Sequence, residues 1–317
     1  MHALLSLFLI VLPVFLVVGA GYAAVRSKIF PDAGIDALVR FATGIAVPVL
    51  LFRAIYRLDL GAVLVLAHLA SFYIGSLAAF VCGIVLSRRI WGRRPGESVA
   101  VGFSAFFSNT VLLGVPVMTR AYGEEALAPA FAIIAFHAPF GYLVGILTME
   151  FSRRDGAPVS LALRRTARAM FHNELTLGIA LGFVLNLTGV PLPEPVTATI
   201  NMIAAAALPV ALFALGGVLT RYRLRAELGE AGMTAALSLM LHPFIAFVLS
   251  RHVFGLPDEF VRAAVVIAAM PTGVNGYVFA AMYDRAVGTA ASTVLLGTAA
   301  SIVTITLWLA ILGGGAL

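Results

Sequence analysis

The strongest constraint on this chain is the spacing of its apolar stretches. Ten of them approach the roughly 20 residues that a membrane-spanning helix requires, at 3–25, 35–56, 62–87, 98–121, 127–150, 175–190, 196–219, 233–254, 259–283 and 289–313. Hydrophobic residues make up 61% of the 317, and charged residues only 11%, against about a quarter charged in a soluble domain. The reading is an all-α membrane protein with ten transmembrane helices. The first stretch lacks a basic leader and is too long for a signal-peptide core, so it reads as a span.

Composition excludes several functions. The net charge is +6, but the basic residues sit in short loops between apolar stretches, with no basic face on a soluble fold for nucleic acid. The single cysteine, Cys82, allows neither an intrachain disulfide nor a cysteine metal cage. No HExxH, GxSxG or P-loop motif is present, so the chain does not read as an enzyme and calls for no cofactor or metal. No Asp or Glu falls mid-span, which argues against a carboxylate-based cation or proton antiporter. Sixteen of the 21 Lys and Arg residues lie on the side of the loops following spans 1, 3, 5, 7 and 9. That side is assigned to the cytoplasm, which puts both termini outside. A plasma or bacterial inner membrane is the expected location.

The chain reads as a repeat. Residues 1–150 hold five spans and 175–317 hold five more, joined by a connecting loop at 151–174. Ala46-Val47-Pro48-Val49-Leu50-Leu51-Phe52 resembles Ala207-Leu208-Pro209-Val210-Ala211-Leu212-Phe213 at an offset of 161 residues, and the same offset relates Gly21 to Gly182. Five spans is an odd number, so the second half is expected upside down, an inverted-topology repeat. In the connecting loop, Leu163, Ala167, Met170 and Phe171 oppose Arg164, Arg165 and Arg168 at helical spacing. That pattern fits an amphipathic helix on anionic headgroups, or equally a solvated basic loop.

Two stretches interrupt the pattern. Span 4 contains Ser108-Asn109-Thr110-Val111-Leu112-Leu113-Gly114-Val115-Pro116, and span 9 contains Pro271-Thr272-Gly273-Val274-Asn275. A proline in a helix removes one N–H and crowds the carbonyl one turn back, so the helices are expected to kink or break there. They are expected to cross at the bilayer midplane, since freed backbone groups survive in a membrane only against protein or water. Two helix N-termini then converge, with spare N–H donors and positive dipole ends suited to a carboxylate. Asn109 and Asn275 are expected to orient that anion or to cap the helix ends, with Thr110 and Thr272 supplying hydroxyls. His137 in span 5 and His242 in span 8 are the deep titratable groups, candidates for proton coupling or neutral hydrogen-bonding partners. Arg53, Arg120 and Arg262 near the outer helix ends are expected to snorkel.

These residues resemble the auxin efflux carrier family, which includes the plant PIN-formed auxin exporters and bacterial carriers of small carboxylates. The resemblance rests on Lys28-Ile29-Phe30-Pro31-Asp32, Ala46-Val47-Pro48, Asn109-Thr110 with Gly114-Val115-Pro116, Tyr122-Gly123-Glu124-Glu125, Tyr142, Glu150-Phe151, Ala269 to Asn275 and Ser292 to Leu296. It implies an elevator transporter. Spans 1, 2, 6 and 7 would form the scaffold, spans 3–5 and 8–10 the transport domain, and spans 2 and 7 a homodimer contact. It also implies substrate contacts by Asn109, Pro116, Pro271 and Tyr142. The sequence departs from the family pattern at Gly44, Val111 and Asn275 to Gly276, so the resemblance carries over no particular substrate. The function expected is movement of a small organic carboxylate anion, auxin-like or a dicarboxylate such as malate or malonate. The alternative is a sodium- or proton-coupled symporter of the bile-acid-transporter type.

Overall fold

The structure is a computed structural model that describes residues 2–153, 174–222 and 228–313. The amphipathic pattern at 163–171 lies outside the described residues. In chain order the helices are α1 (His2–Arg26), α2 (Asp32–Phe41), α3 (Val47–Tyr56), α4 (Leu60–Val63), α5 (Leu66–Trp91), α6 (Pro95–Phe106), α7 (Val115–Tyr122), α8 (Ala128–Arg153), α9 (Glu174–Thr188), α10 (Glu194–Leu219), α11 (Leu228–Ala236), α12 (His242–Phe247), α13 (Asp258–Ala268), α14 (Val274–Tyr283) and α15 (Val287–Ile311). Among the described residues the only β pairing outside helices is an isolated bridge. Among the described residues seven helical stretches are long and apolar enough to cross a membrane, and Glu174–Thr188 is a shorter apolar helix. The two remaining apolar stretches are each divided in two, α6 from α7 and α13 from α14.

Proline positions explain the internal irregularities of several helices. Wider π turns occupy Ala42–Ala46, Thr110–Gly114 and Leu237–Leu241. Each ends two residues before a proline, namely Pro48, Pro116 and Pro243. Proline donates no hydrogen bond and pushes the preceding turn outward; a wider turn lets the chain pass without losing its helical course. This corrects one expectation. Pro116 does not break its helix but sits inside the start of α7, where a missing N–H is harmless. The break lies upstream, at Phe107 to Asn109. In the other segment Pro271 does fall in the break, between the end of α13 and the start of α14.

The helices gather into two compact units. One contains α5–α8, α11–α15 and the first residues of α1; the other contains the rest of α1 with α2–α4, α9 and α10. The first unit has an aromatic core in which Phe103, Phe106 and Phe279 are fully buried beside Phe80 and Phe107. The second is built on close helix approach. A Cβ on Gly21 would lie 2.0 Å from the Phe213 carbonyl oxygen, and one on Gly182 would lie 2.9 Å from that of Phe52. Only glycine lets these backbones meet, the device that membrane helices use where apolar burial alone does not drive association. The Asn186 amide then donates to the Ile55, Tyr56 and Leu58 carbonyls, closing the end of α3.

Candidate functional site

The two breaks face each other, and their backbones satisfy one another. Ser108 and Thr272 form an antiparallel bridge. The Asn109 N–H donates to the Pro271 carbonyl at 2.8 Å, and the Gly273 N–H donates to the Phe107 carbonyl at 2.9 Å. Thr272 is 1% exposed, and its hydroxyl donates to the Ser104 carbonyl at 2.6 Å, one of the orphan acceptors at the end of α6. The Ser238 hydroxyl reaches the Met270 carbonyl at 3.3 Å. A buried carbonyl or N–H left bare costs about 1–3 kcal/mol, so these bonds are what allow both helices to be interrupted in an apolar interior.

With the backbone accounted for, certain side chains remain free. Asn109 is 8% exposed and Thr110 is 4% exposed. Neither side chain has a hydrogen-bonding partner among the described residues, and Asn109 does not cap the turn it precedes. Asn275 is half-buried as the second residue of α14, whose N-cap is Gly273, so it is not a cap either. The second halves of both segments begin here, at Thr110 and Val274. The Thr110 N–H donates to the Ser108 carbonyl and the Gly276 N–H to the Gly273 carbonyl, each at 2.9 Å, so the helix starts contribute mainly their positive dipole ends. Amide and hydroxyl groups beside two helix starts can donate to an anion from several directions.

The other expected residues are placed as follows. Tyr142 of α8 is half-buried, its ring 5.6 Å from that of Phe107 and 5.7 Å from that of Phe103, which sets it beside the break. Pro271 lends its carbonyl to Asn109. Pro116 is buried about two turns beyond Asn109. Thr272 is committed to the backbone through its hydroxyl hydrogen, so its role here is to hold the bridge. His137 and His242 both reach the break. His137 Nε2 lies 3.2 Å from the Ser108 carbonyl oxygen. The Ser108 hydroxyl lies 3.4 Å from His242 Nδ1, and His242 Nε2 lies 3.1 Å from the Phe72 carbonyl oxygen.

The arginines that were expected to snorkel have protein partners. The Arg120 Nε–H donates to the Ile10 carbonyl at 2.8 Å. Arg53 reaches the Asn201 side-chain oxygen at 3.4 Å, and Arg262 lies over the Tyr122 ring at 5.0 Å.

One cluster escaped the sequence reading. Glu230 in the first turn of α11 is fully buried and pairs with Arg93, in the turn between α5 and α6, at 2.8 Å. Both carboxylate oxygens accept from Arg93, and the Thr289 hydroxyl of α15 adds a bond at 3.0 Å. The cluster fastens the start of α6, the helix that leads into the break, to α11 and α15. The apolar stretch read from the sequence began at 233, which left Glu230 outside it.

Comparison with known proteins decides the family. The profile of a family described as membrane transport proteins matches residues 6–309. The chain belongs to this family, the auxin efflux carriers. A relative named as a putative malonate transporter from Rhizobium meliloti is 29% identical, covering 97% of this chain and 96% of its own. A transporter from Methanothermobacter thermautotrophicus is 27% identical over 95% and 97%. Auxin efflux carrier component 8 of Arabidopsis thaliana is 22% identical over 86% and 88%. The protein is thus a multi-pass membrane transporter in a lipid bilayer, a transport protein rather than an enzyme.

Proposed function

We propose that this carrier moves a small organic carboxylate anion, with a dicarboxylate of malonate size as the leading candidate, through the junction of the two broken helices. The observation that carries the reading is Asn109: a buried amide without a protein partner, set where the backbone is otherwise satisfied and two helices start. Thr110, Asn275 and the Tyr142 hydroxyl complete the binding set. Pro116 and Pro271 keep its backbone in shape, and Thr272 holds the bridge. The relative named as a putative malonate transporter supports the substrate class.

We propose an elevator as the mechanism. The division into two compact units supports the grouping of spans 1, 2, 6 and 7 as scaffold and spans 3–5 and 8–10 as transport domain, although the first residues of span 1 fall with the second group. An inverted repeat is supported by a reciprocity in the packing. Gly21 meets the Phe213 carbonyl and Gly182 meets that of Phe52, and both glycines and both phenylalanines are 161 residues apart. Spans 2 and 7 would form the homodimer contact, using exposed apolar side chains such as Ile45 and Met202. The basic-residue asymmetry favours both termini outside. Export is the favoured direction, because an interior-negative potential drives an anion outward by about 2.3 kcal/mol per charge per 100 mV.

The test is malonate counterflow in proteoliposomes. Wild-type protein should exchange labelled malonate, and Asn109→Ala, checked for unchanged folding and oligomeric state, should not. Full exchange by the variant would remove Asn109 from the site.

A further inference from the structure

Two histidines touch Ser108, and their four ring nitrogens are not equivalent. His242 is fully buried. Its Nε2 faces the Phe72 carbonyl oxygen, which can only accept, so Nε2 carries the hydrogen. Its Nδ1 is then a lone pair, and the Ser108 hydroxyl donates to it. His137 is 2% exposed. Its Nε2 faces the Ser108 carbonyl oxygen, so Nε2 again carries the hydrogen. Its Nδ1 is a lone pair buried away from solvent with no hydrogen-bonding partner. A buried acceptor without a donor is rare and calls for a reason.

The surroundings of that nitrogen are specific. The His137 ring lies 4.5 Å from Phe107, 5.4 Å from Phe72 and 6.1 Å from Phe106, centroid to centroid. Aromatic rings tolerate a cation better than aliphatic side chains do. The titratable groups on the packed elements include Tyr73 on α5, whose hydroxyl donates to the Ile133 carbonyl, Tyr142 on α8 itself and His242 on α12; His68 of α5 is engaged with the Pro129 carbonyl, about two turns before His137, and Arg88 and Arg89 of α5 and Glu150 of α8 lie several turns further along their helices. No carboxylate or guanidinium acts on His137. An imidazolium there would be an uncompensated buried charge until an anion arrived at Asn109, one residue beyond Ser108.

We infer that His137, through its bare Nδ1, takes up a proton as the carboxylate binds, and that His242 is a neutral support whose acceptor is already filled by Ser108. The inference rests on the carboxylate-carrier reading and deepens it. A proton from water on the loading side forms the Nδ1–H bond, accompanies the anion and is released with it. Binding of proton and anion favour each other, and by linkage the effect is reciprocal. His242 stays neutral because two adjacent imidazoliums would repel. A dianion carried with one proton moves one net negative charge, so the membrane potential still drives it outward.

Calorimetry of malonate binding to the purified full-length protein tests this, run in two buffers of different ionisation heat. Wild-type protein should take up about one proton per malonate, so its dissociation constant should weaken about tenfold per pH unit above neutrality, where malonate itself no longer titrates. His137→Gln keeps an N–H for the Ser108 carbonyl but cannot be protonated; it should bind malonate with no proton uptake and a flat pH profile. His242→Gln should keep the proton count. Binding without proton uptake by wild type, or undiminished uptake by His137→Gln, overturns the inference and leaves the carrier reading standing. Absence of any malonate binding counts against the substrate class instead. The histidines are then read from nitrogen spectra of the ligand-free protein on acidification. His137 titrating before His242 supports the assignment, and the opposite order overturns it.

Discussion

Replacing Arg93 by Met strands a carboxylate. Glu230 is fully buried and Arg93 is 17% exposed, so solvent screens the pair only weakly. The two carboxylate oxygens share the single Arg93 Nε–H, at 3.2 and 3.0 Å, and accept one bond from Nη2 at 2.8 Å and one from Thr289 at 3.0 Å. After Arg93→Met only the Thr289 bond among these remains. Breaking a buried pair from one side costs about 3–5 kcal/mol, chiefly for the charge left behind. The partial exposure of Arg93 places the expectation at the lower end, about 3 kcal/mol. Glu230→Gln keeps an acceptor for Arg93 but gives up charge-assisted bonding, and should cost less, about 1–2 kcal/mol. Arg93→Met with Glu230→Met removes both charges and fills similar volume, so it should lie within about 1 kcal/mol of wild type. The assay is unfolding of the purified protein in mixed micelles against increasing SDS, with the four proteins compared side by side. The order predicted is wild type and the double variant together, Glu230→Gln below them, and Arg93→Met lowest. A double variant as unstable as Arg93→Met would refute the reasoning, because the loss would then come from packing and not from an unpaired charge.

Three further outcomes follow from the packing and the bridge. Gly21→Val and Gly182→Val should each destabilise the second unit by several kcal/mol, on the order of other core overpacking, visible as loss of monodisperse protein on size exclusion; tolerance of either would mean that the helices part readily. Thr272→Val deletes the donor to the buried Ser104 carbonyl and should cost about 1–3 kcal/mol, while Thr272→Ser should recover most of it in the same SDS titration. Pro116→Ala should leave folding intact and allow the π turn to tighten, lowering the signature of the wider turn in amide hydrogen exchange at 110–116; an unchanged pattern would mean that something other than proline holds that turn.

The helical segments could be read from the sequence because each is an unbroken apolar run bounded by charged or turn residues; α9, α10 and α15 begin and end close to where their runs do. The breaks were legible in kind but not in place. Proline signals a local conflict, and the same residue was read the same way at Pro116 and Pro271. What separates them is pairing between chain segments more than 160 residues apart. Phe107 and Asn109 leave the helix because Gly273 and Pro271 satisfy them, whereas the chain at Pro116 is absorbed by a π turn. Asn109 was identifiable because an amide beside a glycine and a proline is unusual in an apolar run. The hydroxyl of Thr272 looked like a ligand group, and its commitment to the Ser104 carbonyl depends on a contact that no local pattern encodes. Glu230 and Arg93 were hidden for the same reason: each looks like an ordinary loop charge until the other, 137 residues away, is brought against it.

The central claim is that a carboxylate binds at Asn109, and the most direct measurement is thermal stabilisation of the purified protein by malonate, with and without sodium, in wild type and Asn109→Ala. A ligand that binds only the folded protein stabilises it by about 2.7 kcal/mol at a hundredfold excess over its dissociation constant. The expected result is a saturable rise in melting temperature for wild type, indifferent to sodium and absent in Asn109→Ala. An equal rise in Asn109→Ala would contradict the site, and a rise that requires sodium would contradict the account in favour of a sodium-coupled symporter.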